Sequence, residues 1–352
     1  MKIQKLKLKN FRNHVNKSFD FENDFNLLLG PNGCGKTSIL EAIYILATGK
    51  SQKALYDKDL INYSRDHCAI EGLVESQNEN YLLNLQIVAK SPDSNITLKK
   101  ASTNKVPKTL SGFAGTLTAC IFSPEDINIV TGPPSDRRRY LDLLLSQTDH
   151  NYKKTLNLYL RAVRQRNKVL EMIREEHRGA QQLDFWNSQI TAQSQILHES
   201  RQNFVEFAKK IIPNYSERLI DGEKHIEFAY KKSEITLERL SNYKEKEIAS
   251  KQTLIGPHRD DFLINVGQKN MAEFGSRGQQ RAVVLLLKLL EIAYLEEIKK
   301  ERPVLLLDDI FSELDSKHRK YVLDIINQQQ TIATSAESSE ILGVKRGKII
   351  NL

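Results

Sequence analysis

One eight-residue stretch, Gly30-Pro31-Asn32-Gly33-Cys34-Gly35-Lys36-Thr37, constrains this chain more than any other, because it matches G-x-x-x-x-G-K-[ST]. Its context fits. The apolar run Phe25 to Leu29 precedes it, and Thr37 to Leu46 follows, with Ile39, Leu40, Ile43 and Ile45 or Leu46 on one helical face before Gly49 stops the helix. Strand, glycine-rich turn and helix together form a phosphate cradle: the glycines let successive N–H groups converge on phosphate oxygens, and the helix dipole adds attraction. In that arrangement Lys36 bridges the β and γ phosphates and the Thr37 hydroxyl ligates Mg²⁺, while Gly30, Pro31, Asn32, Gly33, Cys34, Gly35 and Ser38 complete the wall.

A phosphate cradle needs a carboxylate partner. Val304 to Leu307 is a strand-sized apolar run ending in Asp308 and Asp309. Asp308 is expected to hold the Mg²⁺ shell and Asp309 to orient or deprotonate the attacking water, so Lys36 and Asp309 are the candidate catalytic pair and ATP with Mg²⁺ the expected cofactors.

Hydrophobic spacing places strands at both ends of the chain and helices in the middle. Lys2 to Leu8 and Lys17 to Phe21 alternate, and strand-like pieces recur at Ala69 to Glu75, Tyr81 to Val88 and Ala119 to Phe122. Arg138 to Ile173 and Gln181 to Ile212 have helical spacing and almost no Gly or Pro, which predicts a helical pair joined near Glu176 to Gly179. Ile226 to Phe262 returns to short strands, Gln279 to Lys300 and Ser316 to Gln328 are helices, and Thr331 to Thr334 and Lys348 to Leu352 are closing strands. An α/β lobe built from both chain ends, with an inserted, mainly helical second lobe, explains this order with one main core. The expected division is residues 1–120 and 250–352 for the first lobe and 121–249 for the insertion.

Composition narrows the class. With 40% hydrophobic and 27% charged residues the chain is expected to fold as an ordinary soluble protein. It has no 18-residue apolar run, and its first residues lack an apolar signal core, so a cytoplasmic location is expected. Cys34, Cys68 and Cys120 are odd in number and widely spaced, which argues against a disulfide framework and a zinc site. The net charge of +8 permits contact with a polyanion without proving it.

Two further segments carry a resemblance. Phe274-Gly275-Ser276-Arg277-Gly278-Gln279-Gln280-Arg281, before the long helix, and Ile310-Phe311-Ser312-Glu313-Leu314-Asp315, after the paired aspartates, resemble the signature and D-loop of ABC-type ATPases. The wording is similar to one family in particular, RecF, at Asn10 to Asn13, Phe122 to Asp126, Gly132 to Pro134, Arg137 to Asp142, Arg164 to Asn167 and Gly256 to Asp261. The separation of 272 positions between Lys36 and Asp308 (308 − 36) is too long for a compact transporter ATPase and too short for the long coiled coils of SMC or Rad50 proteins. The resemblance runs from residue 1 to about 345.

That resemblance implies an ABC-type P-loop lobe whose nucleotide site is finished only in an ATP-dependent, head-to-tail homodimer. Ser276, Arg277, Gly278 and Gln279 of one copy, with Asp315, would then meet the triphosphate held by the other. It implies binding to duplex DNA and single-strand/double-strand junctions and cooperation with RecO and RecR in loading RecA. Arg12, Arg137, Arg138, Arg161 and Arg164 are the candidate DNA contacts. Glu125 or Asp126 would occupy the loop that couples the γ-phosphate to lobe movement, and Thr334 or Ser335 stands where transporters usually have His. With Asp309 in place of the Glu of transporters, slow, DNA-stimulated hydrolysis used as a timer is expected. A transporter- or translation-associated ABC ATPase is the alternative, disfavoured by the missing Leu-Ser-Gly-Gly-Gln signature and the long insertion. A small-metabolite P-loop kinase would have no use for the Ser276 segment, and an inert DNA scaffold would not need Lys36.

Overall fold

The computed structural model describes residues 1–91, 95–219, 225–312, 314–336 and 347–352. The chain divides into two compact units, residues 1–126, 146–148 and 287–352, and residues 127–145 and 149–286.

The first unit opens with the hairpin β1 (Lys2–Phe11) and β2 (His14–Asp20), followed by β3 (Phe25–Leu29) and helix α1 (Lys36–Thr48). Strands β4 (His67–Ser76), β5 (Glu79–Ala89), β6 (Thr97–Thr103) and β7 (Val106–Lys108), the short helix α2 (Leu110–Phe113) and β8 (Ala119–Phe122) come next. In β4 every second residue is buried, as expected of a strand with one covered face. Among the described residues, β1, β2 and β4 to β7 form an antiparallel sheet in the order β2-β1-β4-β5-β6-β7. By contrast β8 (ACIF) is buried at every position, the mark of a strand covered on both faces.

The second unit begins with α3 (Ile127–Thr131), α4 (Pro134–Thr148), α5 (His150–Glu176), α6 (Ala180–Ile211) and α7 (Pro213–Leu219). It continues through β9 (Ile226–Lys231), α8 (Leu237–Ser250), β10 (Asp261–Val266), β11 (Lys269–Asn270), α9 (Met271–Phe274) and α10 (Arg277–Lys299). The unit boundaries fall inside α4 and α10. The chain then returns to the first unit with β12 (Val304–Leu307), α11 (Ser316–Ile326), β13 (Thr331–Ser335) and β14 (Lys348–Asn351).

A parallel sheet in the order β14-β3-β13-β12-β8 results. It places the turn after β3 and the turn after β12 at the carboxyl ends of strands in one sheet, where ligands of open α/β sheets bind. Helix α1 packs against β8 and β13 of this sheet and against β1, β4 and β5 of the antiparallel one. It is therefore buried nearly all round, from Ile39 to Thr48, instead of along the single stripe expected from its sequence. Gln330 ties the chain ends together: its Oε1 accepts from Ile3 N at 2.7 Å, and its Nε2 donates to Ile3 O at 2.9 Å and Glu22 O at 2.7 Å.

Within the second unit, α5 and α6 pack along each other, and Val169, Leu170 and Leu183 form a cluster with Met172, Ile173, Trp186 and Ile248 against it. Phe228 and Phe262 stack at 4.6 Å between β9 and β10. Charge is also buried here. Arg201 meets Asp260 at 2.6 Å and Asp142 at 2.8 Å, and Arg166 meets Glu247 at 2.6 Å with both side chains fully covered.

Three expectations change. Residues 250–286 group with the helical unit and not with the first, because β10 pairs along β9 from Asp261↔Lys231 to Val266↔Ile226. The helix expected over Arg138 to Ile173 is two, parted where Asp149 leaves α4 and its carboxylate accepts from Asn151 N to start α5. The stretch 226–262 contains a helix, α8, between its strands. The three cysteines are free, and among the described residues no helix is long and apolar enough to cross a membrane.

Candidate nucleotide site

The turn between β3 and α1 adopts the curl its glycines permit. Gly33 and Gly35 have φ of 84° and 104°, the left-handed region where a side chain is strained. At Gly35 space forbids one too, since a Cβ would lie 2.6 Å from Asn13 Nδ2 and His14 Nε2. His14 Nε2 donates to Gly35 O at 3.1 Å, so the tip of the first hairpin braces the loop. Burial holds the His14 pKa below its ordinary value, outweighing the Gly35 carbonyl. Lys36 Nζ donates to Gly30 O at 2.7 Å and Pro31 O at 3.2 Å, which sets a buried ammonium at the centre of the curl.

Thr37, the second residue of α1, donates from Oγ1 to Asp308 Oδ1 at 2.7 Å. Asp308, at the end of β12, is 2% exposed and its N–H donates to Phe122 O of β8. Asp309 follows with φ of 50°, an uncommon conformation for a residue with a side chain and one that concentrates at functional sites. Its N–H donates to Thr334 Oγ1 at 2.9 Å, and that buried hydroxyl lies 3.1 Å from Asp308 Oδ1 and 3.2 Å from Asp309 Oδ1. Of the two hydroxyl residues expected at the switch position, Thr334 thus braces both aspartates. The oxygens of Thr37 and Asp308 are hard donors suited to Mg²⁺, which takes one or two carboxylates and completes its shell with water and phosphate oxygens. Among the described residues no group of three or more His, Cys, Asp and Glu is placed to hold a metal ion.

Lys53 had no place in any motif. Its Nζ pairs with Asp308 Oδ2 at 3.0 Å and Glu125 Oε1 at 3.1 Å. Partial burial works against its charge, but Asp308 and then Glu125 outweigh that and hold the ammonium pKa above its ordinary value. Glu125 and Asp126 separate here. Glu125 is exposed toward Lys53, whereas Asp126 is buried, accepting from Ser123 N at 2.7 Å and Gln52 Nε2 at 2.8 Å and pairing with Lys288 Nζ at 3.1 Å. Burial disfavours the Lys288 charge, yet Asp126 and Glu291 reverse that and raise its pKa.

A cavity of about 1660 Å³ opens over the loop, lined by Arg12, Asn13, Lys36, Thr37, Tyr63 and Asp309 among others. Arg12 is bound there to Glu41 through two hydrogen bonds of 2.9 Å and to Asp59 O.

Ser276, Arg277, Gly278 and Gln279 belong to the second unit and are exposed. Ser276 and Gln279 cap the helix reciprocally: Ser276 N donates to Gln279 Oε1 at 2.9 Å and Gln279 N to Ser276 Oγ at 3.3 Å. A Cβ on Gly278 would meet nothing within 4 Å, and Phe274 beside them is 66% exposed. In the first unit Asp315 caps α11, accepting from His318 N at 2.9 Å. Glu313 and the Ser312 side chain lie outside the described residues.

Apart from Arg12, the arginines expected on DNA fall into two groups. Arg137 is buried against Asp261 at 2.6 Å and Gly132 O at 2.7 Å, and Arg138 donates to Asp260 O at 2.9 Å. Arg161 and Arg164 are exposed on α5, with Lys154 and Lys168. Of the N-terminal basic residues, Lys5 pairs with Asp20 and Lys7 with Glu71, while Lys9 and Lys17 are exposed.

A P-loop facing a strand-end aspartate pair, on a parallel sheet joined to an antiparallel one, defines the ABC-type ATPase fold of RecF and SMC heads. The model of the RecF/RecN/SMC N terminal domain matches residues 2–342. An Smc head domain from Pyrococcus furiosus superimposes with a TM-score of 0.54 at 16% identity, covering 99% of this chain and 92% of its own, a likeness of fold alone. The chain belongs to the RecF family. It is 35% identical to the DNA replication and repair protein RecF of Natranaerobius thermophilus, covering 97% of this chain and 93% of that one. It is 34% identical to that of Bacillus cytotoxicus, covering 100% and 97%. A solved structure of the recombination mediator protein RecF with ATP, in the RecFOR pathway, superimposes with a TM-score of 0.88 at 30% identity, over 99% of this chain and 95% of that chain.

Proposed function

We propose that this chain is an ATP-controlled DNA clamp of recombinational repair and replication in the cytoplasm. ATP binds at the Gly30 to Ser38 loop, with Lys36 on the β and γ phosphates and Thr37 and Asp308 holding Mg²⁺. Two copies then join head to tail, the Ser276 to Gln279 segment and Asp315 of one finishing the triphosphate site of the other. Asp309 orients the attacking water. The joined pair binds duplex DNA near single-strand gaps and, with RecO and RecR, helps load RecA; slow hydrolysis, below a few tens per second, releases it.

The observation that supports this reading best is the exposed start of α10. A capped helix N-terminus with Gly278 facing open space offers N–H groups and the positive end of a dipole to an anion. Its cap alone would serve a plain helix start, but a plain start gives no reason for Phe274, 66% exposed, beside it. Arg161 and Arg164 on α5 supply sequence-independent phosphate contacts, sensitive to salt. Arg137 and Arg138 act as braces within their unit, and Arg12 acts from the hairpin beside the loop.

Because ATP stabilises the pair and the pair presents both basic surfaces, ATP and DNA tighten one another's binding. Sedimentation of the protein with and without ATP-Mg²⁺ and a gapped duplex tests the reading. Dimers on DNA are expected only with ATP; equal DNA affinity with ATP, ADP and no nucleotide contradicts it.

A further inference from the structure

The turn after α1 is pinned by three successive side chains. Ser51 Oγ donates to Glu41 and accepts from Lys53 N at 3.0 Å and Ala54 N at 2.7 Å. Gln52 Nε2 donates to Asp126 Oδ1 at 2.8 Å. Lys53 Nζ then spans Asp308 Oδ2 and Glu125 Oε1, at 3.0 and 3.1 Å. These carboxylates come from neighbouring strands: β12 and β8 pair at Leu307↔Phe122, Asp308 follows one strand and Glu125 lies three residues beyond the other. Glu41 in turn is clamped by Arg12, which lines the cavity. The ammonium is thus held in place by a rigid turn and is not a surface side chain that happens to find an acid.

Elementary electrostatics gives this arrangement a task. A triphosphate on the loop brings several negative charges close to Asp308, whose other oxygen receives the Thr37 hydroxyl at 2.7 Å. Two carboxylates without a counter-charge would repel it, and in a partly buried site that repulsion is poorly screened. We propose that Lys53 is a positioning residue that acts as a built-in cation of the nucleotide site. It offsets one of the two negative charges of Asp308 and Glu125, so that a triphosphate can settle ahead of the divalent cation, and it gives up its share of Asp308 when Mg²⁺ arrives, because two cations on one carboxylate repel each other. This rests on the reading that the Gly30 to Ser38 loop binds ATP with Thr37 and Asp308 toward Mg²⁺.

The test is equilibrium binding of ATP carrying a fluorescent ribose label, in EDTA and across a Mg²⁺ titration, to the full-length protein. Lys53→Met is expected to weaken binding in EDTA at least tenfold and far less at saturating Mg²⁺, and to lower the Mg²⁺ concentration for half-maximal binding severalfold. Lys53→Arg keeps the charge and restores the EDTA affinity. Glu125→Gln, at an exposed side chain, leaves the ammonium to Asp308 alone and raises the Mg²⁺ midpoint. Equal losses for Lys53→Met with and without Mg²⁺ overturn the proposal, as does an unmoved Mg²⁺ midpoint in Glu125→Gln, which decides the matter should Lys53→Met not fold. If the unaltered protein binds labelled ATP under neither condition, the nucleotide reading itself fails and this proposal with it.

Discussion

Thr37 Oγ1 donates to Asp308 Oδ1 across 2.7 Å, a bond between residues 271 apart in the chain. It closes the cradle: the start of α1 and the end of β12 are held in one register by a hydroxyl and a carboxylate. The same two groups have the chemistry to hold Mg²⁺.

Replacing Lys36 by Ala removes the ammonium at the centre of that cradle. A charged hydrogen bond of this kind contributes about 1.5–3 kcal/mol. ATP affinity is expected to fall by roughly ten- to a hundredfold or more. Titration calorimetry checks this, with far-ultraviolet circular dichroism unchanged because, among the described residues, Lys36 bonds locally to Gly30 and Pro31.

Asp309 divides strain from chemistry. Its φ of 50° suits Gly or Asn better than most residues. Asp309→Gly is expected to leave stability unchanged or raise it by up to about 1 kcal/mol, through relief of the left-handed backbone, and Asp309→Asn to be near neutral. Both should lower ATP turnover by about a hundredfold, in keeping with the loss of a general base. Phosphate release and urea unfolding, measured side by side, check the split.

The buried network of the second unit makes a stability prediction. Arg201→Met strips Asp260 of its guanidinium while His198, Tyr230 and Ser233 N still crowd it. Breaking one partner of such a pair costs about 3–5 kcal/mol. The urea midpoint of that unit should fall accordingly. An unchanged midpoint would show that the pair carries no net stability.

Acidification reaches a different residue. Burial first, then Arg259 and Arg138, pull the His258 pKa down to about 4, against the Thr253 carbonyl. The neutral ring is favoured in the folded chain, so its contribution is complete above the ordinary histidine range. It is lost as pH falls from about 6.5, the unfolded value, toward 4, by on the order of 2–3 kcal/mol. Urea midpoints between pH 7 and 4 check the slope, and His258→Gln should flatten it.

The parts of this molecule written in the sequence are those with strong periodicity or strict spacing. The loop, β12, β8 and the paired aspartates stand where apolar runs and glycines place them. Strands β6 and β7 were not legible because β7 is exposed throughout and β6 buries a single residue fully, Ala101, leaving no alternation to read. Helix α8 fully buries just Leu240 and Glu247, so its polar surface gave no helical stripe. The break at Asp149 lacks Gly or Pro and is made by a capping carboxylate. Lys53 gave no signal at all, since its partners lie 72 and 255 residues away. A lysine after a helix is ordinary until the sheet brings Glu125 and Asp308 beside it.

Whether the site is finished by a second copy is tested most directly by mixing two defective proteins. Lys36→Ala spoils the loop and Ser276→Arg blocks the α10 start, so each alone should neither dimerise with ATP nor hydrolyse it. Mixed in equal amounts, they can form a pair with one intact site, Lys36 from one copy and Ser276 from the other. The mixture is expected to regain ATP-dependent dimers in sedimentation and a fraction of the unaltered turnover. A mixture as inert as its two components would contradict it.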